Sequence, residues 1–130
     1  TINTDAGKYT ARSIIPSGYS VPPGNPTHEL LELLGRHGSR PAHVHFFIYA
    51  PGYRHLTTQI NLSDDPFCYD DFAYATKEEL VVDAVDVTDA AKIAEAKMKG
   101  PYKELKFNFS LVKAKEDEQE IRSTRPRAAL

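Results

Sequence analysis

The sequence has one cysteine, Cys68, among its 130 residues. Because no second cysteine is present to pair with it, an intrachain disulfide and a cysteine-based zinc cage are both excluded. Any metal that this chain binds must therefore be held by oxygen and nitrogen ligands.

Long hydrophobic runs and an excess of charge of one sign are also lacking. No apolar stretch approaches the roughly 20 residues needed to cross a bilayer, and the first residues lack the basic and apolar regions of a signal peptide. The formal net charge is -2 with both signs interspersed, which gives no electrostatic footprint for nucleic acid or an anionic membrane. We therefore expect a cytoplasmic protein whose partners are small molecules or other copies of the chain.

The composition, 41% hydrophobic and 26% charged, is that of one globular domain with a modest core. Periodicity and turn residues predict strands over 8–15, 43–49, 56–62 and 103–112, short helices over 27–34 and 88–99, and loops over 19–26 and 64–74. Helix and strand compete over 76–85. The predicted fold is mainly β, an antiparallel β-sandwich with short helices and long loops over residues 1–112, followed by a charged tail over 113–130.

The sharpest motif is Arg40-Pro41-Ala42-His43-Val44-His45-Phe46. On a strand, residues i and i+2 share a face and their Cβ atoms lie roughly 6 to 7 Å apart, so His43 and His45 can ligate one ion. The alternative is that one imidazole bonds a backbone carbonyl while the other lies near the surface. The pair alone leaves the metal open, because zinc hydrolases and cupin-type iron proteins also use it.

Tyr19 begins a segment with three prolines and a glycine in eight residues. A phenol ionises near pH 10, but a trivalent hard cation stabilises the phenolate enough to deprotonate it at neutral pH. Phenolate with imidazole suits Fe(III) better than Zn(II) or Fe(II). Taken alone, a tyrosine in a loop is more often a surface anchor.

Several motifs together resemble the intradiol ring-cleaving dioxygenases. They are Pro16-Ser17-Gly18-Tyr19, Leu34-Gly35-Arg36-His37-Gly38, Arg40-Pro41-Ala42-His43-Val44-His45-Phe46, Leu56-Thr57-Thr58-Gln59-Ile60 and Asp70-Asp71-Phe72-Ala73-Tyr74-Ala75-Thr76. The resemblance runs from Gly7 to about Val112 and implies that residues 1–112 are the C-terminal part of the family's catalytic β-sandwich. Arg125-Pro126-Arg127 also resembles endings in the family.

The resemblance implies an Fe(III) cofactor held by two tyrosines and two histidines. It places one tyrosine at Tyr19 and the histidines at His43 and His45, and it places the other tyrosine upstream of the matched segment. His28, His37 and His55 are expected to be solvated.

The resemblance also implies residues that act on the substrate. Arg40 lies over the substrate ring, where a cation stabilises carbanion character, and Gln59 lies near the substrate and the histidine ligands. Phe72 and Ala73 form a pocket wall that governs which ring substituents are accepted.

The implied activity is cleavage of catechol by O2 to cis,cis-muconate in the degradation of aromatic compounds, by a full-length protein that is a homodimer. Residues 70–76 favour catechol over protocatechuate, chlorocatechol and hydroxyquinol. Two alternatives belong to other classes: a metal-binding β-sandwich fragment without oxygenase activity, and a zinc hydrolase built on the histidine pair, in which Tyr19 has no role.

Overall fold

The computed structural model describes residues 2, 4 and 6–115. Within them the elements follow in the order β1 (Tyr19–Ser20), α1 (Pro26–Leu33), β2 (Ser39–Arg40), β3 (His43–Ile48), β4 (Leu56–Leu62), a 3-10 turn (Glu78–Leu80), β5 (Val81–Val82), β6 (Val85–Val87), α2 (Ala90–Glu95) and β7 (Tyr102–Glu104). The predicted mainly β fold with short helices is confirmed. Residues 116–130 of the predicted tail, with Arg125-Pro126-Arg127, lie outside the described residues.

The antiparallel pair of β3 and β4 forms the centre of the fold. Its register runs from His43 opposite Asn61 to Ile48 opposite Leu56, so the strands predicted over 43–49 and 56–62 are confirmed. The β5 strand joins β4 in parallel, which adds a mixed sheet to the predicted antiparallel pattern.

Alternation gives the β3–β4 pair two chemically different faces, because successive side chains on a strand point to opposite sides. One face builds the hydrophobic core, which is formed by Ala42, Ile60, Leu62 and Val82 with Val44 and Phe46 packed against it. The opposite face carries His43, His45, Gln59 and Asn61, as their register pairing requires. The candidate site therefore lies directly behind the core.

A second layer covers the core face. Leu105, Phe107 and Phe109 pack on the core, while the alternate residues Lys106 and Asn108 are exposed. The sidedness predicted for 103–112 is thus present, but the strand prediction is wrong beyond Tyr102–Glu104. In the described part of the chain no neighbouring strand pairs with residues 105–112, so the alternation appears without a ladder.

The strand predicted over 8–15 is also wrong, since that segment belongs to none of the named strands. Side-chain contacts hold it instead of a ladder. The hydroxyl of Tyr9 donates to the carbonyl of Phe107 at 2.7 Å, and its ring lies 6.4 Å from Phe46 and 6.1 Å from Phe109. The segment therefore closes an aromatic cluster at the edge of the core.

The helices are short and capped by side chains. Asn25 is the N-cap of α1, because its Oδ1 accepts the backbone N–H of His28 at 2.8 Å. Asp89 caps α2 in the same way. The helix predicted over 88–99 is shorter than expected, because Lys97 adopts a left-handed backbone at φ 51.

The structure settles the stretch that was left open between helix and strand. The stretch 76–85 is neither one helix nor one strand, since it contains the 3-10 turn, β5 and the first residue of β6. At the start of the predicted tail, the backbone of Lys113 forms an isolated antiparallel β-bridge with that of Tyr53. The N–H of Ala114 donates to the carbonyl of Gly52 at 3.0 Å. The division of the chain at residue 112 stays a prediction.

No helix among the residues described combines the length and the apolar character that spanning a membrane requires.

Candidate metal and substrate site

The two-residue ladder of β1 and β2 places Tyr19 directly opposite Arg40. The loop predicted over 19–26 is therefore wrong at Tyr19 and Ser20, and also at Pro26, where α1 begins. Gly18 permits the close approach, because a Cβ there would lie 2.7 Å from the Asp65 carboxylate and 2.9 Å from the Arg40 carbonyl. A glycine before Tyr19 thus brings the phenol beside the guanidinium.

His43 and His45 lie together on the polar face of the central pair. Their ring centroids are 5.0 Å apart and the rings are nearly perpendicular, at 87°. His43 is half-buried and lies 5.7 Å from the Tyr19 ring, whereas His45 is exposed. The structure therefore brings the three predicted ligands to one place.

The hydrogen bonds of His43 indicate which ring nitrogen is free. Its Nδ1 lies 2.7 Å from the carbonyl of Pro41, and because a carbonyl can only accept, Nδ1 carries the proton. The lone pair of a neutral imidazole is then on Nε2. A histidine whose Nδ1–H is fixed by a backbone carbonyl is oriented as metal-ligating histidines usually are.

Two lone pairs converge on one cationic nitrogen. Arg40 Nη1 lies 3.4 Å from the Tyr19 hydroxyl and 3.4 Å from His43 Nε2. Both atoms thus present electron density to a positive charge, which is the chemistry that a bound cation requires.

The kinds of donor present constrain which metal fits. Within the part of the chain that the structure describes, no group of three or more His, Cys, Asp or Glu side chains is placed to hold a metal. For a metal beside His43 and His45, the phenol oxygen of Tyr19 is a further donor at hand, since its ring lies 5.7 Å from that of His43. Phenolate with imidazole is a donor set that fits Fe(III) and differs from the usual catalytic zinc set.

Arg40 is anchored by a buried carboxylate. Its Nε lies 3.1 Å from Asp71 Oδ1 and its Nη2 lies 3.1 Å from Asp71 Oδ2, with the Asp71 side chain 1% exposed. Burial by itself raises the pKa of Asp71, but hydrogen bonds from Arg40 and from the backbone of Ala73 and Ala75 outweigh it, so this pKa lies below its ordinary value of 3.8. The hydrogen bond to Asp71 raises the pKa of Arg40. Both groups are held in their charged forms.

Gln59 continues this network on the neighbouring strand. Its Oε1 accepts from Arg40 Nη2 at 3.1 Å, and its Nε2 donates to Asn61 Oδ1 at 3.1 Å. Although Gln59 pairs in register with His45, the side-chain carbonyl of Gln59 is directed at Arg40. Asn61 is fully buried, and its Nδ2 has no partner among the described atoms.

Phe72 and Ala73 lie in a tight turn that follows Asp71. The N–H of Phe72 donates to the carbonyl of Ser39 at 3.1 Å, and the N–H of Ala73 donates to Asp71 Oδ1 at 3.0 Å. Both hydrogen bonds tie the turn to β2 and to the carboxylate that holds Arg40. The predicted pocket wall therefore lies next to the predicted substrate arginine.

Asp71 and Asn61 are site residues that sequence reasoning missed. Asp71 lies in the motif over residues 70–76, yet nothing in the sequence indicates that it bonds to Arg40, which is 31 residues away. Asn61 had a usable signal, since it alternates with Gln59 on a predicted strand and so shares its face.

The other histidines have partners of their own, and the cysteine is buried. His28 lies 3.6 Å from Glu32, His37 lies 3.1 Å from Asp70, and His55 packs edge-on against Tyr49. Cys68 is buried, and burial raises the pKa of its thiol. A low-pKa nucleophilic role for the thiol is therefore disfavoured.

A cavity of about 630 Å³ lies elsewhere, against β5, β6, β7 and the start of α2. Its lining mixes carboxylates and lysines with valines and, within the described residues, contains none of the predicted site residues.

Comparisons with known proteins agree on one family. Residues 1–113 match the protein family described as Dioxygenase. Catechol 1,2-dioxygenase from Acinetobacter baylyi is 49% identical over 129 residues, which cover 99% of this chain and 42% of the relative.

Solved structures show the same likeness. Catechol 1,2-dioxygenase from Acinetobacter sp. ADP1, inhibited by bound mercury, has a TM-score of 0.81 and 50% identity, covering 90% of this chain and 38% of that one. The enzyme from Pseudomonas arvilla C-1 has a TM-score of 0.77 and 54% identity, with 90% and 38% covered. This chain spans about two fifths of the length of the curated relatives it matches. The family match, the identities and the shared fold show that the chain belongs to the intradiol dioxygenase family.

Proposed function

We propose that the protein cleaves catechol with O2 to cis,cis-muconate at a non-haem Fe(III) centre. The observation that carries the proposal is the convergence of Tyr19 Oη and His43 Nε2 on Arg40 Nη1, each at 3.4 Å, with His45 beside them. Relatives about 50% identical are named catechol 1,2-dioxygenases, which supports catechol as the substrate. Because the chain spans only part of those relatives, the activity is proposed for the intact protein.

Tyr19, His43 and His45 are the proposed iron ligands, and the family resemblance adds a second tyrosine from a preceding segment. When bound, the ferric ion supplies Lewis-acid chemistry, which draws electron density from an oxygen ligand and orients the reactants. The Pro41 carbonyl holds the proton on His43 Nδ1, so that Nε2 stays available to the metal. Tyr19 Oη would hold the metal as a phenolate and would be the atom of this chain that accepts one proton from the incoming catechol.

Arg40 is proposed to stabilise negative charge that develops on the substrate ring. A cation that is already fixed in place costs no reorganisation when charge appears, and this is the basis of electrostatic catalysis. Asp71 and Gln59 occupy Nε and Nη2 of Arg40, which leaves Nη1 facing Tyr19 and His43. The charge is therefore directed towards the proposed metal position.

Phe72 and Ala73 are proposed to wall the substrate pocket. Their turn is tied to β2 at Ser39 and to Asp71, so the wall and the arginine keep a constant separation. Substituents on the catechol ring would meet this wall. We therefore expect these two side chains to influence which catechols are accepted.

The test is made on the intact protein. We expect a coloured, iron-containing preparation, oxygen uptake with catechol, equal amounts of O2 consumed and cis,cis-muconate formed, and no yellow extradiol product. A preparation that binds iron but forms no muconate would establish the competing reading, a metal-binding β-sandwich without oxygenase activity. A colourless protein that binds zinc in preference to iron would overturn the proposed function.

The homodimer of the full-length protein and its cytoplasmic location stay predictions. Sedimentation of the intact protein measures the first, and fractionation of the source cells measures the second.

A further inference from the structure

We propose that Asp71 is the positioning residue for Arg40 and that the same carboxylate links Arg40 to the turn carrying Phe72 and Ala73. The inference rests on the proposed function, because it assigns a role in the reaction proposed for Arg40. It concerns a residue that neither the motif pattern nor the family match had singled out.

The contacts of the guanidinium show how its direction is set. The carboxylate of Asp71 accepts hydrogen bonds from Arg40 Nε and Nη2. The distance is 3.1 Å from Nε to Oδ1 and 3.1 Å from Nη2 to Oδ2. Gln59 Oε1 takes a second hydrogen from Nη2, also at 3.1 Å. Only Nη1 is then directed at Tyr19 and His43. Since a guanidinium is planar, fixing two of its nitrogens fixes the direction of the third.

The carboxylate itself is held from the other side by backbone. Asp71 Oδ1 accepts the N–H of Ala73 at 3.0 Å, and Oδ2 accepts the N–H of Ala75 at 3.2 Å. Both oxygens therefore contact Arg40 and the turn at once. A shift of the turn moves the carboxylate, and the carboxylate moves Arg40.

Only a carboxylate satisfies this set of contacts. All of its four neighbours are N–H donors, which two acceptor oxygens can satisfy and an amide cannot, because an amide group would present its own N–H to a donor. Asp71→Asn preserves the size of the side chain but removes one acceptor and the charge. The guanidinium would then lose its paired hydrogen bonds to the carboxylate and would adopt other orientations.

The experiment is a double-mutant cycle on the iron-loaded intact protein, with D71N, R40Q and D71N/R40Q compared by kcat and KM for catechol. If Asp71 acts through Arg40, D71N lowers kcat/KM about 10- to 100-fold in the protein that retains Arg40. The loss is mainly in kcat. The same change in the R40Q background alters it by no more than about 3-fold. Iron content and the visible absorption band stay at wild-type values in all three variants.

The control is D70N, the same substitution at the adjacent residue, whose carboxylate is 76% exposed and pairs with His37. We expect D70N to keep the wild-type kcat/KM. If D71N alone does not fold, D71E is compared with the wild type, because it keeps the charge and both acceptor oxygens but displaces them by one methylene group. We then expect a lower kcat at unchanged iron content, and a wild-type kcat overturns the positioning role. Effects of Asp71→Asn that are equal in both backgrounds, or a loss of iron, overturn the positioning role. Failure of the wild-type protein to form muconate overturns the proposed function instead.

Discussion

Tyr19 faces Arg40 across a two-residue ladder, with the phenol oxygen 3.4 Å from Nη1. A ladder of this length has little stability of its own, so its position depends on what surrounds it. Gly18 lets the two strands approach, and Asp71 accepts a hydrogen bond from Nε of Arg40, on the side of the guanidinium away from Nη1. The proposed metal ligand and the proposed substrate cation are therefore placed by one local arrangement.

Replacing Tyr19 by phenylalanine tests the phenol as an iron ligand. Removing a metal ligand should weaken iron binding at least as much as removing a group that only supports one, which is about 10- to 100-fold. We expect loss of iron, measured by elemental analysis, and a weaker visible band. Tyr69→Phe, at a ring 74% exposed, should keep both. Equal iron content in the two variants would contradict the assignment.

The histidine pair makes a second prediction. His43→Ala and His45→Ala should each lower iron content, because each removes one nitrogen donor from the proposed site. His28→Ala is the matched control, since His28 lies on α1 and pairs with Glu32. Calorimetric titration of the apoprotein with iron measures all three. Binding that is unchanged in His45→Ala would remove that residue from the ligand set.

Gly18→Ala tests the close approach of the strands. The added methyl group would meet the Arg40 carbonyl at 2.9 Å, so β1 must move and carry Tyr19 with it. We expect a shifted visible band and a lower kcat in the intact protein. Gly100→Ala is the control, because a Cβ there meets nothing within 4 Å. Wild-type spectra for both variants would show that the approach is not needed.

The lowered pKa of Asp71 predicts how stability depends on pH. Because the folded-state pKa lies below the ordinary value of 3.8, the ionised group stabilises the fold above that pH. The contribution is lost as the pH falls through the folded-state pKa. Asp71→Asn should therefore lower the free energy of unfolding by about 3 kcal/mol at neutral pH, the usual cost of breaking a buried ion pair.

Urea unfolding of the wild type and of Asp71→Asn, at about pH 7 and about pH 3, measures this difference. We expect the gap between the two proteins to narrow at the lower pH. Asp70→Asn should change the free energy of unfolding by less than about 1 kcal/mol, because its ion pair is exposed. A gap of the same size at both values would mean that the Asp71 carboxylate is not the titrating group.

Leu62→Ala tests the core behind the site. The side chain of Leu62 is 1% exposed, and truncating a buried leucine costs about 2 to 5 kcal/mol. Leu33→Ala, at a side chain 85% exposed, should stay within about 0.5 kcal/mol of the wild type. Thermal unfolding of both variants compares them. A similar loss of stability in the two variants would mean that Leu62 is not at the centre of the core.

Local periodicity accounts for what could be predicted. The β3 and β4 strands and the shared face of His43 and His45 follow from a period of two, which every strand obeys. The same rule predicted which side chains between 105 and 111 face inwards, although that segment forms no ladder. A period reports the direction of side chains; it carries no information about the presence of a neighbouring strand. This is why the strands predicted over 8–15 and 103–112 were wrong or too long.

The sequence by itself determined the donor types, the spacing of the histidine pair and the family resemblance, because these are properties of neighbouring residues. Only the tertiary structure decided that Tyr19 lies opposite Arg40 and that Asp71, 31 residues further on, holds the guanidinium. Both relationships join segments separated by turns, whose paths depend on packing and on individual hydrogen bonds. No repeating pattern encodes those paths, so the direction of Arg40 emerges only when the chain is folded.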